Sequence, residues 1–244
     1  MPKSGVEIRN VSDEYTGILL VGPSSRELLV RLSSDDVSTS AFPFMSARVT
    51  EVGAAPAIVA RLSITGELGY EIYVPTAFGR SLARNIYRAT EGLNACNIGF
   101  YALNSLRLEK NYGIWSREFT SDYTPRQCGL WKFVDYEKPN FIGRAAAVQD
   151  RDRQPEHELV TLVVDAVDAD AYGFEPVWHD GEYVGYTTSG GYGHCADKSL
   201  AMGYVRSELV LGDALIEISI AGTRRPARVL RKPAIDPPGE RMRA

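Results

Sequence analysis

Thr65-Gly66-Glu67-Leu68-Gly69-Tyr70-Glu71-Ile72-Tyr73-Val74 decides how the first half of the chain is read. Two glycines around a glutamate make a turn, and from Tyr70 onward the residues alternate. Successive side chains on a strand point to opposite faces. Tyr70, Ile72 and Val74 therefore share one face, and Glu71 and Tyr73 the other. Glu71 is the residue of this stretch with chemistry to offer. If its face lines a cleft, the carboxylate can accept paired N–H donors, and a 2-aminopyrimidinone ring edge is such a donor. If the face is open to water, Glu71 is a solvated surface glutamate. The alternation is compatible with both. Glu67 is read as tying down its own glycine-flanked turn.

Outward from this strand, helix and strand signals alternate. Val6 to Arg9 and Tyr15 to Val21 are rich in β-branched and aromatic residues and are read as strands. Pro23-Ser24-Ser25 opens a short helix carrying Leu28, Leu29 and Leu32, with serines suited to capping. Ala47 to Val52 and Pro56 to Ile64 form a strand pair around a loop holding Gly53. Thr76 caps a helix reaching about Arg88, with Phe78, Leu82 and Ile86 at four-residue steps. A further helix covers Tyr101 to Lys110 and is expected to bury Leu103, Leu106 and Tyr101. The polar run from Gln149 to His157 is read as a boundary, giving domains 1–150 and 155–232 and a loose tail 233–244.

Beyond that run, helix signals vanish. Leu159–Asp165, Glu175–His179, Tyr183–Thr188, Leu200–Val205, Leu215–Ile220 and Arg224–Leu230 read as short strands. Asp180-Gly181 joins two of them as a hairpin. Six strands at this spacing make a small antiparallel barrel or sandwich, so the fold class is α+β. Gly190-Gly191-Tyr192-Gly193 lies between β segments. A phosphate cradle needs a following helix, so a tight turn is the better reading.

With 44% hydrophobic and 24% charged residues the chain can bury a sizeable core. A net charge of −4 argues against a nucleic-acid partner. No run of about 18 apolar residues predicts a membrane span, and Met1-Pro2-Lys3-Ser4-Gly5 has no apolar stretch to act as a secretory signal. Cys96, Cys128 and Cys195 are scattered and odd in number, which suits a reducing cytoplasm better than disulfides. None has a partner at metal-ligand spacing, and no metal site is expected. His157 and His179 read as solvated surface. His194, beside the glycine run, could face a cleft. There is no nucleophile elbow, phosphate loop or zinc-protease motif, and no catalytic residue is assigned.

Several stretches together resemble the aminomethyltransferase family, which includes the glycine-cleavage T-protein. Thr65 to Glu71 resembles that family's Thr-Gly-Glu-x-Gly-aromatic-Glu signature. Tyr101 to Lys110, Trp115, Tyr123-Thr124-Pro125, Phe141 to Ala145, Gly173 to Val177 and Thr188 to His194 are more similar to dimethylglycine and sarcosine dehydrogenases. The resemblance runs from about Val6 to about Leu230.

The resemblance implies a partial folate-binding domain, lacking the family's N-terminal third, followed by a small antiparallel β-barrel. It implies tetrahydrofolate as ligand, its pterin anchored by Glu71, with Ile64, Ile72 and Tyr73 beside it. Trp131 and, more weakly, Trp115 are candidate aromatic walls; either could equally be core. In such enzymes an N-methyl group is oxidised at a flavin and its carbon is captured by tetrahydrofolate. FAD would sit on a flavoprotein partner or on the missing N-terminal portion, and self-association would cover any exposed apolar face.

Two departures stand out. Nothing matches the N-terminal acidic residue that the family uses to organise the folate amine. Ile64 stands where relatives commonly carry tyrosine. Gln127 likewise replaces a glutamate, at a position read as structural. Three functions stay open. The first is a folate-dependent one-carbon transfer module, and the second a non-catalytic binding or assembly module with a degenerate site. The third is a folate-dependent demethylase module for another methylated compound.

Overall fold

The computed structural model describes residues 5–212 and 214–244. The expectation about a signal at Met1 to Ser4 lies outside the described residues. The chain divides into two compact units, Met1–Asn97 with Pro238–Ala244, and Ile98–Pro237. The polar run near Gln149 lies within the second of these units. Part of that run is helical, because Ala145-Ala146-Ala147 favours a helix over Arg144–Arg151.

The first unit holds β1 (Tyr15–Val21), α1 (Ser25–Leu32), β2 (Ala47–Val52), β3 (Ala55–Ala60), β4 (Gly69–Pro75) and α2 (Thr76–Ala89). The strands form one antiparallel sheet in the order β1-β4-β3-β2. Gly53 and Ala54, both at positive φ, make the two-residue turn between β2 and β3, whose backbone twist matches a right-handed hairpin. One face of the sheet buries Val52, Val59, Tyr70, Ile72 and Val74 against Leu29 of α1 and Leu82 of α2.

Several local expectations need correcting. Val6 to Arg9 joins no strand among the described residues, and Val6 and Ile8 are exposed. β3 stops at Ala60, where the chain leaves the sheet for the loop that feeds β4. The serines before α1 make no side-chain cap; Ser25 Oγ instead donates to the Leu68 carbonyl at 3.1 Å. Thr76 is the first residue of α2, not its cap, and its hydroxyl donates to the Asp13 carbonyl at 3.0 Å. The tail is not loose. The Ala244 oxygen accepts from Arg26 at 2.6 Å and from fully buried Arg61 at 2.5 Å, and Met242 is buried.

The second unit holds α3 (Phe100–Glu109), α4 (Arg144–Arg151) and six strands. These are β5 (His157–Val164), β6 (Pro176–His179), β7 (Glu182–Gly193), β8 (Lys198–Arg206), β9 (Ile216–Ile220) and β10 (Thr223–Leu230). They close into an antiparallel barrel in the order β10-β5-β8-β7-β6-β9, as the six-strand reading expects. The Asp180-Gly181 hairpin forms between β6 and β7. Leu162, Val177, Val205, Ile216 and Ile218 fill the barrel interior.

The glycine run is not a turn. It lies inside β7, which extends well past Thr188. A Cβ on Gly190 would sit 2.4 Å from the Ala171 carbonyl oxygen, so the glycine permits a backbone approach that no side chain allows. α3 packs against β7 and β8 with Ser105, Arg107, Leu108 and Glu109 buried, while Tyr101 is 80% exposed and Leu103 and Leu106 are only half-buried. The apolar-face reading of this helix is inverted.

Candidate functional site

In the first unit the sheet has a second face, turned away from the core. Antiparallel register puts residues directly opposite one another on the same side. Glu71 of β4 stands between Leu19 of β1 and Ala60 of β3. Tyr73 stands between Gly17 and Ile58, and Ile58 lies opposite Val49 of β2. No lysine, arginine or histidine occupies a strand position on this side. The face is therefore mostly apolar, with one half-buried carboxylate near its middle.

That carboxylate is partly held. The Tyr73 hydroxyl donates to Glu71 Oε2 at 2.6 Å. The bond to Glu71, followed by burial and the charge of the same carboxylate, pushes the Tyr73 phenol up to about 12. Tyr73 is thus a protonated donor at any physiological pH. A carboxylate presents about four acceptor positions over its two oxygens, and Tyr73 occupies one. The arrangement suits a flat ligand whose edge carries N–H donors and whose body is apolar.

The other sequence candidates fall in different places. Ile72 is 0% exposed and packs in the core, because adjacent strand residues face opposite ways; its side chain is not on the Glu71 side. Ile64 is half-buried in the loop before β4. The hydroxyls of Ser63 and Thr65 tie that loop, and the Glu67 side chain instead reaches Arg241 at 2.7 Å. Trp115 and Trp131 belong to the second unit, 78% and 49% exposed, so neither is a core residue. Trp115 meets Phe119 edge-on, and Trp131 opens a single 3-10 turn. Gln127 Oε1 accepts the Thr124 N–H at 3.0 Å, a local structural tie.

Sequence reading missed a second carboxylate. Glu118, in the second unit, is 0% exposed. Its Oε2 accepts from Arg107 Nη1 at 3.0 Å and the Ile114 N–H at 2.9 Å. Its Oε1 accepts from Thr188 Oγ1 at 2.6 Å and from the Ser189 hydroxyl. Arg107 spends its other donors on Asn104 Oδ1 and the Tyr112 carbonyl. Burial pulls the Arg107 guanidinium down from its ordinary value and the Glu118 charge opposes that. Every acceptor position of Glu118 is filled, which leaves no site for a ligand. The signal that could have exposed this cluster is the glycine run beside Thr188 and Ser189, since glycines inside a strand mark a close approach.

Among the described residues, no group of three or more histidine, cysteine, aspartate or glutamate side chains is placed to hold a metal ion. His179 Nδ1 lies 2.9 Å from the Leu215 carbonyl oxygen, and exposed His194 lies edge-on to the Tyr192 ring. No disulfide joins Cys96, Cys128 or Cys195 among the described residues. Among the described residues, no helix is long and apolar enough to cross a membrane.

Residues 1–138 match the GCVT N-terminal domain, and residues 157–236 match the glycine cleavage T-protein C-terminal barrel domain. The chain belongs to the glycine-cleavage T-protein family. It is an aminomethyltransferase-like chain and is 36% identical to mouse (Mus musculus) mitochondrial dimethylglycine dehydrogenase, over 94% of this chain and 27% of that protein. It is 30% identical, over 93% of this chain and 28% of the relative, to the mouse mitochondrial pyruvate dehydrogenase phosphatase regulatory subunit. The solved aminomethyltransferase T of the Bartonella henselae glycine cleavage system superposes with a TM-score of 0.80 at 24% identity, covering 91% of this chain and 60% of that one. The chain thus spans about a quarter of the length of the mammalian relatives. In this family chain the Glu71 face is the candidate site, and the Glu118 cluster is part of the scaffold.

Proposed function

We propose that this chain is a tetrahydrofolate-binding, one-carbon transfer module of an oxidative demethylation system of the dimethylglycine/sarcosine dehydrogenase kind. One observation carries the reading. Glu71 offers unfilled acceptor positions on a mostly apolar sheet face whose strand positions carry no lysine, arginine or histidine. A pterin edge supplies the paired N–H donors such a carboxylate lacks, and charge-assisted pairs of this kind are among the stronger hydrogen bonds.

In this reading Glu71 holds and orients the ring, Tyr73 keeps one carboxylate oxygen fixed, and Leu19 and Ala60 flank the pair with apolar surface. Bound tetrahydrofolate would supply the nitrogen nucleophiles that take up the carbon unit. The protein's part is to hold two reactants close and in register, which is where most of such an acceleration arises. The oxidising flavin belongs to a flavoprotein partner or to a preceding portion of a longer protein.

A second reading, a non-catalytic binding or assembly module, is favoured by Ile64 at the loop before β4 and by the likeness to a protein named as a regulatory subunit. Restoring tyrosine at Ile64 separates the two: improved folate binding marks a weakened folate site, and no change favours the assembly role.

The test is a calorimetric titration of the whole chain with 5-formyltetrahydrofolate, followed in parallel by tryptophan fluorescence. Saturable binding that Glu71→Gln weakens at least about tenfold supports the proposal, since losing a bond to a charged group costs about 1.5–3 kcal/mol. Absence of saturation, or indifference to Glu71→Gln, overturns it.

A further inference from the structure

Glu71 makes its one polar side-chain contact along its own strand, and the geometry that allows it is built across two strands. Tyr73 sits two residues on, on the same side of β4. Its hydroxyl reaches Glu71 Oε2 at 2.6 Å. The residue opposite Tyr73 on β1 is Gly17. A Cβ there would lie 3.2 Å from Tyr73 Cε1 and 3.4 Å from Cδ1, so the ring lies against the bare glycine backbone. Gly17 has no positive φ to explain its presence. Its function in the sheet is room for that ring.

We propose that Tyr73 is a positioning residue for Glu71: seated on Gly17, its hydroxyl fixes one carboxylate oxygen and leaves the remaining acceptor positions aimed at a ligand. The inference rests on the folate reading for the ligand's identity. The Gly17–Tyr73–Glu71 linkage itself belongs to the free protein.

The physical consequences follow from one hydrogen bond. A free glutamate on a strand samples several rotamers, and ordering a rotamer-rich side chain on binding costs about 0.5–1.5 kcal/mol. Tyr73 removes part of that cost beforehand. The other titratable residues on this side of the sheet are Tyr15 on β1 and Glu51 on β2, and neither is basic. Among the strand positions on this side, no basic side chain stands ready to replace the Tyr73 hydroxyl.

The first test needs no ligand. With ring-labelled tyrosine, the Tyr73 phenol should titrate near 12 in the wild type and move toward 10 in Glu71→Gln, because the carboxylate is the main cause of the shift. A Tyr73 titration that Glu71→Gln leaves unchanged overturns the linkage.

The second test is 5-formyltetrahydrofolate affinity in Tyr73→Phe, which keeps the ring and loses the hydroxyl. An ordinary hydrogen bond predicts about a fivefold loss near pH 7, with cooperative unfolding kept and the melting temperature lowered by only about 2–4 °C. Gly17→Ala, which crowds the ring and keeps the phenol, should give a smaller loss of the same kind. If Tyr73→Phe binds like the wild type while Tyr73→Leu fails, the ring is only packing and the proposal is wrong. If the wild type does not bind at all, the folate reading fails, and the ligand-free titration still decides whether Tyr73 positions Glu71.

Discussion

Glu71 and Glu118 are both glutamates whose carboxylates accept side-chain hydrogen bonds, yet they sit in opposite physical situations. Glu118 is buried, faces one arginine, and has donors from Arg107, Ile114, Thr188 and Ser189 on its two oxygens. Glu71 is half-buried and has Tyr73 alone. A buried charge without partners is not tolerated, so Glu118 must be satisfied by the protein itself. A partly exposed charge can leave acceptor positions to water, and a ligand can later take them. The number of unfilled acceptor positions, more than the presence of an acid, separates a binding carboxylate from a scaffold carboxylate here.

The largest effect should come from breaking the scaffold. Glu118→Ala leaves Arg107 buried without its counter-charge and should cost about 3–5 kcal/mol of unfolding free energy, measured by urea denaturation. A loss below about 1 kcal/mol would place Glu118 with the surface charges, where ion pairs contribute little. Next comes the glycine run beside Thr188 and Ser189, where Gly190 lets the Ala171 backbone approach. Gly190→Ala forces a methyl against the Ala171 carbonyl, and overpacking of that kind costs about 1–3 kcal/mol, visible as a lower melting temperature.

The Tyr73 bond should contribute about 1 kcal/mol to stability, with a definite pH dependence. Its phenol ionises near 10 when unfolded and about 12 in the folded chain. A raised value means the contribution is fully present below pH 10 and is lost as pH rises through 12. The stability gap between wild type and Tyr73→Phe should therefore be flat through neutral pH and close in strong alkali; a gap that closes below pH 9 would contradict the assignment. The smallest effect should be that of Glu71→Gln on folding. It removes no buried partner and should leave unfolding free energy within about 0.5 kcal/mol of the wild type.

The same contrast explains what the sequence made legible. β4 reads correctly because its core contacts are apolar and its period is two, so Tyr70, Ile72 and Val74 announce one face and Glu71 the other. The six barrel strands are legible for a related reason: turn chemistry such as Asp180-Gly181 is local. α3 is not legible. Its buried Arg107, Glu109 and Lys110 are satisfied by Glu118, by the N–H groups of Cys195 and Ala196, and by the segment at Asp236. Those partners are distant in sequence, and no periodicity of apolar residues points to them. The tail was misread for the same reason, because Arg61 waits for its oxygens far along the chain. Ile72 entered the candidate site by adjacency to Glu71, where strand geometry puts it on the other side.

The most direct test of the account measures one variant twice. Glu71→Gln, compared with the wild type, should lose at least about tenfold in affinity for 5-formyltetrahydrofolate by calorimetry while unfolding at the same urea concentration. Unchanged affinity would contradict the folate site, and a large loss of stability would show that Glu71, like Glu118, belongs to the scaffold.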